Sequence, residues 1–222
     1  MTDPIPVITV DGPSGSGKGT VSQRVADALG WHMLDSGALY RLVGYSVDQA
    51  GIGFENPQKA AGIAAAMRVE FDHGKVLLKG QDVSLAIRTE TAGNNASKVA
   101  AMPEVRAALL DWQRHAAVPP GLVADGRDMG TTVFPDAPVK IFLTASAEER
   151  ARRRHKQLME KGISAKVSDL AAEIREREER DRNRSTSPLV PAEYALLIDS
   201  TDLGIEQVVE KILAAARAVW PR

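Results

Sequence analysis

The chain has 222 residues, 44% of them hydrophobic and 26% charged, with 28 basic against 29 acidic side chains and no cysteine. That length suits one α/β domain carrying a small insertion, with a core of useful size. A net charge of −1 argues against bulk affinity for nucleic acid or anionic membranes, and zero cysteines exclude disulfides, thiolate metal sites and cysteine nucleophiles. The opening residues, Met1 to Pro6, have no basic segment leading into a long apolar run, and no stretch is long enough to span a bilayer. The expected location is therefore the cytoplasm. His32, His73, His115 and His155 are scattered without ligand spacing, so no protein metal site is expected.

Taken in chain order, Val7-Ile8-Thr9-Val10 reads as a buried strand. It runs into Gly12-Pro13-Ser14-Gly15-Ser16-Gly17-Lys18-Gly19-Thr20, after which Val21, Val25, Ala28 and Leu29 fall on one helical face. A strand, a glycine-rich turn, a lysine and a helix make the context in which a P-loop match has physical meaning. The glycines let successive N–H groups curl toward a polyphosphate, the helix N-terminus adds partial positive charge, and Lys18 adds a mobile full charge. The common pattern places Ser or Thr directly after the lysine. Here Gly19 intervenes, so a hydroxyl for magnesium comes from Thr20 or the ion is held mainly by phosphates and water.

Further short apolar runs end in polar residues. Trp31-His32-Met33-Leu34 meets Asp35, Gly121-Leu122-Val123-Ala124 meets Asp125, Val139-Lys140-Ile141-Phe142-Leu143 meets Thr144, and Ala195-Leu196-Leu197-Ile198 meets Asp199. With the first strand they predict a five-stranded parallel sheet with helices between, and ligands bind beyond the carboxyl ends of such strands. Pro103 opens a helix whose Val105, Ala108, Leu109 and Trp112 share a face; Ser146 with Glu149 reads as a capping box; Ile205, Val208, Val209, Ile212 and Leu213 mark a closing amphipathic helix. Two regions break the βα repeat. Met67–Phe71 and Lys75–Lys79 flank Asp72-His73-Gly74 and read as a hairpin, inside an insertion from about Gly51 to Ile87. Residues 150–184 are dense in arginine and glutamate and read as two helices interrupted near Lys161–Ser164. Most of those arginines suit i,i+4 pairs with glutamate, but the fork of a guanidinium also suits phosphate.

A GTPase or a motor-type ATPase is the other destination for a P-loop. No Asn-Lys-x-Asp stretch is present and Lys18 lacks a directly following hydroxyl, which points to a small-molecule kinase.

Gly12 to Thr20, Leu34-Asp35-Ser36-Gly37-Ala38-Leu39-Tyr40-Arg41, Ala124-Asp125-Gly126-Arg127-Asp128-Met129-Gly130-Thr131, Pro135–Leu143 and Asp181-Arg182-Asn183-Arg184 together closely resemble bacterial cytidylate kinases, nucleoside monophosphate kinases of the P-loop class. The resemblance runs from about Val7 to the closing helix. It implies an α/β P-loop kinase fold with a five-stranded parallel sheet, a small β-containing insertion that binds the monophosphate (about residues 36–102) and a helical lid (about 150–184). It implies transfer of the γ-phosphate of ATP to CMP or dCMP with Mg2+, by direct in-line displacement. Gly12, Pro13, Ser14, Gly15, Ser16, Gly17, Lys18, Gly19 and Thr20 would cradle the ATP phosphates. Ser36, Arg41 and Arg127 would hold the acceptor, with both arginines at its phosphate. Ser97, Arg106 and Asp128 would read cytosine, Arg177 and Asp181 would contact the sugar, and Arg184 would lie close to the acceptor. Lys18, Arg127 and Arg184 would carry the catalytic charge stabilisation, and Arg152 to Arg154 would belong to the lid. The resemblance also implies a monomer that partners nucleotides, not nucleic acid or membrane.

Cytosine presents an amine where uracil presents a carbonyl, so a carboxylate such as Asp128 can discriminate between them. Asp128 has a structural alternative as a helix N-cap or a partner of Arg127, Asp181 as an i,i+4 partner of Arg177, and Ser36 as the cap of its helix. Trp31 and Tyr40 read as packing residues. The competing functions are a small P-loop kinase for UMP, AMP or a non-nucleotide acceptor, and a non-catalytic nucleotide-binding module. An arginine-dense segment argues against the latter, since a sensor has no charge in flight to stabilise.

Overall fold

Strand β1 (Val7–Asp11) is buried at every position, as expected for the centre of a sheet covered on both faces. In the computed structural model, which describes residues 4–72, 75–160, 162 and 164–221, it lies in the middle of a five-stranded parallel sheet. The other strands are β2 (His32–Asp35), β6 (Leu122–Gly126), β7 (Val139–Thr144) and β8 (Leu196–Asp199), in the order β2-β6-β1-β7-β8. Each anticipated strand is present. β1 pairs with β6 through Val7↔Leu122 to Asp11↔Gly126, and with β7 through Ile8↔Val139 to Asp11↔Phe142. Asp11 therefore ends the central strand with a neighbour on either side.

The chain forms two compact units, residues 1–34 with 116–222, and residues 35–115. In the first, helices α1 (Lys18–Leu29) and α8 (Ile205–Val219) pack against each other and on the sheet. Ile8, Val10, Val25, Ile141, Leu143 and Ile212 form its fully or nearly fully buried core. Trp31 packs edge-on against Trp220 with ring centroids 5.2 Å apart, the packing role anticipated for it. This unit also carries α6 (Ala147–Glu160) and α7 (Val167–Asn183), the expected pair of charged helices, joined by their own small core of Ala151, Leu158, Leu170 and Ala171. Ser146 Oγ accepts the Glu149 N–H at 3.2 Å and opens α6, as its capping pattern predicts. Lys161 and Ile163, within the anticipated interruption, lie outside the described residues.

The second unit opens with α2 (Ser36–Gln49), continues through α3 (Pro57–Ala66), and contains a three-stranded antiparallel sheet of β3 (Val69–Asp72), β4 (Lys75–Leu78) and β5 (Gln81–Asp82). Helices α4 (Glu90–Ala100) and α5 (Pro103–His115) complete it. The hairpin strands are those anticipated; the turn residues His73 and Gly74 lie outside the described residues. Helices α3 and α4 and strand β5 have no counterpart in the sequence reading. α3 is alanine-rich and only Ala60 and Ala64 are buried, so it lacks the large-residue stripe that betrays a helix, while β5 is two exposed residues long. Ala38, Leu42, Val76, Val83 and Ile87 form this unit's core. Pro103 occupies the first helical position of α5, and Tyr40 is buried at 7% exposure, in line with its reading as a packing residue.

Candidate active site

The turn between β1 and α1 departs at once from ordinary backbone. Gly12 has φ +149°, and a Cβ there would sit 2.0 Å from the Leu143 carbonyl oxygen, so the chain must pass β7 without a side chain. Gly17 caps α1 in the left-handed region at φ 89°. Beyond it, the first-turn N–H groups of α1 have no preceding turn to bond to and form the positive end of the helix. Lys18 is buried, and its ammonium donates to the Pro13 carbonyl at 2.9 Å. Burial first, then the nearby Arg127 guanidinium, lower the Lys18 pKa, partly offset by Asp125 and Asp11, to about 8. A phosphate entering the loop would replace a neutral carbonyl with an anion as the partner of this ammonium.

Arginines of α6 hold the outer side of the loop. Arg150, only 3% exposed, donates from Nη1 to the Ser14 carbonyl at 3.2 Å and from Nε to the Ala145 carbonyl at 3.0 Å, and is ion-paired with Glu178 of α7. Arg153 donates to the Ser16 carbonyl at 3.2 Å and to the Ser200 carbonyl at 2.6 Å. Bonding the carbonyls of Ser14 and Ser16 from outside fixes the peptide planes of the loop. The sequence reading placed Arg150 and Arg153 on the charged helices but not on the loop. Arg152 pairs with Glu149 at 3.1 Å and is exposed; Arg154 donates to Gln157 at 3.4 Å.

The turn after β6 carries Arg127 and Asp128. Arg127 donates from Nε to Asp181 Oδ2 at 3.0 Å. Asp181 is therefore the carboxylate partner of Arg127, a pairing the sequence reading does not contain. Burial pushes Asp181 up, but Arg127 and Arg177, with Arg184 behind them, outweigh it and hold the carboxyl below its usual range. Arg184, just past the end of α7, also donates to the Ser187 carbonyl. Asp128, 2% exposed, precedes a short π-helical turn, Met129–Val133, but its side chain makes no cap hydrogen bond to that turn. Instead, Asp11 Oδ1 accepts the Met129 N–H and Asp11 Oδ2 the Gly130 N–H, both at 2.8 Å. Asp11 was not among the anticipated site residues. An ionisable side chain ending an otherwise apolar strand, directly before Gly12, is the signal that could have marked it.

The first unit thus brings together the P-loop with Arg127, Asp128, Arg177, Asp181 and Arg184. Ser36, Arg41, Ser97 and Arg106 lie in the second. Asp35 caps α2, accepting the Ala38 N–H at 3.0 Å, so the cap anticipated as an alternative role of Ser36 belongs to its neighbour, and Ser36 is the buried first residue of the helix. Arg41 of α2 donates to the carbonyls of Ile87 at 2.9 Å and Thr89 at 3.3 Å. Arg106 of α5 is buried, lies 5.6 Å over the Tyr40 ring and donates to the Ala100 carbonyl at 3.3 Å. Ser97 is half-buried on α4.

A buried lysine in a P-loop, beside guanidinium groups and carboxylates at strand ends, is equipped to bind polyphosphate and stabilise charge on a moving phosphoryl group. Comparison with known proteins narrows this further. The family model for cytidylate kinase matches residues 8–218. The chain belongs to the cytidylate kinase family. Among its relatives, the cytidylate kinase of Colwellia psychrerythraea is 56% identical over 221 residues, covering 97% of this chain and 98% of that one. The cytidylate kinase of Marinomonas sp. is 58% identical over 214 residues, covering 94% of each. Among solved structures, a protein from Eubacterium ventriosum superposes with TM-score 0.54 at 10% identity, over 96% of this chain and 98% of that one. A gluconokinase from Sinorhizobium meliloti does so with TM-score 0.50 at 17% identity, over 99% and 95%. At these identities the structural likeness shows the fold of this kinase, not its substrate. Within the described residues of the kinase, no helix is long and apolar enough to cross a membrane.

Proposed function

We propose that this kinase transfers the γ-phosphate of ATP to CMP or dCMP, giving ADP and CDP or dCDP. The observation that carries the reading is the collection of Lys18, Arg127, Arg177 and Arg184 around the P-loop and the turn bearing the buried Asp128. Residues Gly12 to Thr20 hold the ATP phosphates. Lys18, Arg127 and Arg184 stabilise charge on the transferred group. Arg41 and Arg127 hold the acceptor phosphate, Ser36 the acceptor nucleotide, Ser97, Arg106 and Asp128 the cytosine edge, and Arg177 and Asp181 the sugar. On this reading residues of about 36–102 form the monophosphate-binding region and those of about 150–184 the lid, within a single kinase domain. The kinase acts as a cytoplasmic monomer with nucleotides as its partners.

No general base is needed, because the acceptor oxygen is already an anion at neutral pH. The chain's task is alignment and charge neutralisation for in-line displacement. Magnesium, supplied with ATP, would neutralise charge on the polyphosphate. Thr20 would be its protein ligand: the residue is exposed in the first turn of α1 and offers a hydroxyl oxygen, the hard donor type such a cation takes.

The test is a coupled assay with ATP and magnesium, offering CMP, dCMP, UMP, AMP and GMP separately, in the wild type and in Asp128→Ala. Turnover concentrated on CMP and dCMP, with the CMP-over-UMP ratio falling in the variant, is the expected result. Equal turnover of UMP, or a ratio untouched by the substitution, removes the base-reading assignment.

A further inference from the structure

The π-helical turn Met129–Val133 follows directly on Arg127 and Asp128, and its first two N–H groups need acceptors. The residue placed to supply one locally is Asp128, whose side chain makes no such bond. The acceptor comes instead from the end of the central strand. The two oxygens of Asp11 divide the work, one taking the Met129 N–H and the other the Gly130 N–H. The fit is close on the other side as well. A Cβ on Gly130 would lie 2.8 Å from Thr9 Oγ1, 3.2 Å from Ala192 Cβ and 3.4 Å from Asp11 Oδ2. The turn is pressed against β1 with no room for a methyl group.

We propose that Asp11 is a positioning residue for acceptor recognition: it caps the Met129–Val133 turn in trans, fixes the backbone that presents Arg127 and Asp128, and spares the Asp128 carboxylate from capping its own turn. This rests on the reading of Arg127 and Asp128 as acceptor-binding residues. Asp11 also directly precedes Gly12, so one residue joins the strand end that begins the donor loop to the turn that reads the acceptor.

The fold keeps this carboxylate at a cost. Burial pushes Asp11 up, and the Gly130 and Met129 N–H groups offset that only in part; Asp128 raises it further, Lys18 lowers it, and it settles at about 6. A neutral residue of the same shape would escape the burial penalty on an ionised group. A costly buried group at a site is the pattern expected where function has priority over stability.

Asp11→Asn keeps the shape, but its amide has one acceptor oxygen and an N–H face that opposes the second backbone N–H. Gly130→Ala attacks the same turn from the opposite side. Steady-state kinetics with CMP, UMP and ATP, alongside thermal melting, are read for both variants and for Asp128→Ala as a reference. For Asp11→Asn the expected result is a KM for CMP raised about tenfold and a CMP-over-UMP kcat/KM ratio reduced about tenfold. The KM for ATP stays within about threefold, with a melting temperature no lower than wild type. Gly130→Ala shows the same split between CMP and ATP. If Asp11→Asn leaves the CMP KM and the selectivity unchanged while Asp128→Ala alters them, the inference is overturned and the acceptor assignment stands. If Asp128→Ala also leaves selectivity unchanged, the acceptor assignment itself fails. Equal rises in both KM values with a lowered melting temperature, or failure of both turn variants to fold, would make Asp11 a fold residue only and overturn the proposal.

Discussion

Asp11 and Asp181 are both almost fully buried carboxylates in the same unit, and their surroundings drive them in opposite directions. Asp11 sits at the end of the central strand and is met by backbone N–H groups, which are dipoles and not charges; burial wins and the carboxyl is pushed up to about 6. Asp181 sits near the end of a charged helix among Arg127, Arg177 and Arg184; there the guanidinium charges win and the carboxyl is held below its usual range. The difference teaches what each region is built to do. The strand end positions backbone using a group whose ionised form is disfavoured, while the end of α7 gathers cations and needs an anion to hold them together before any phosphate arrives.

The largest effect is expected where the charge does chemistry. Lys18→Met removes the loop ammonium and should lower kcat by about a thousandfold with a normal melting temperature, as measured by turnover of CMP at saturating ATP. Next comes Asp181→Asn, which leaves three arginines facing one another without their buried anion. It should cost about 3 kcal/mol of stability, read by denaturant titration at neutral pH. Titration then separates the two carboxylates. Asp181 has a lowered folded pKa, so its contribution to stability is present above the ordinary carboxylate range and lost as pH falls through the folded value. Asp11 has a raised folded pKa, so its contribution is fully present below the ordinary carboxylate value and is lost as pH rises through about 6, a change of order 3 kcal/mol. Asp11→Asn should therefore flatten the fall in stability between pH 4 and 6, and Asp181→Asn should flatten the rise at lower pH. A wild-type profile without a fall over the first interval would contradict the opposite shifts of the two carboxylates. The smallest effect belongs to the exposed pair Glu148–Arg175 between α6 and α7. Solvent and salt screen it, so Glu148→Gln should leave turnover and melting temperature within error.

Much of the framework is legible in the chain as letters. Strands β1 and β6 announce themselves because strands buried on both faces must be runs of apolar residues, and the other three read as short apolar runs as well, each run ending at a polar residue where the sheet ends. Lys18 and its glycines are legible because a phosphate cradle needs those residue types at those spacings. Local patterns also place Ser146 and Pro103 at helix starts. Helix α3 escaped because alanine packs without leaving a periodic signature, and β5 because two exposed residues form no pattern at all.

What the sequence by itself determined about this protein is the strand-loop-helix that binds polyphosphate, the parallel sheet behind it and the family resemblance carried by Leu34–Arg41 and Ala124–Thr131. These depend on residues close together in the chain. Only the tertiary structure decided that Asp11 caps a turn more than a hundred residues away, that Arg127 pairs with Asp181 of a distant helix, and that Arg150 and Arg153 hold the carbonyls of the P-loop. A buried carboxylate or guanidinium takes whatever partner the packing of distant strands and helices brings within about 3 Å, and no local spacing encodes that choice.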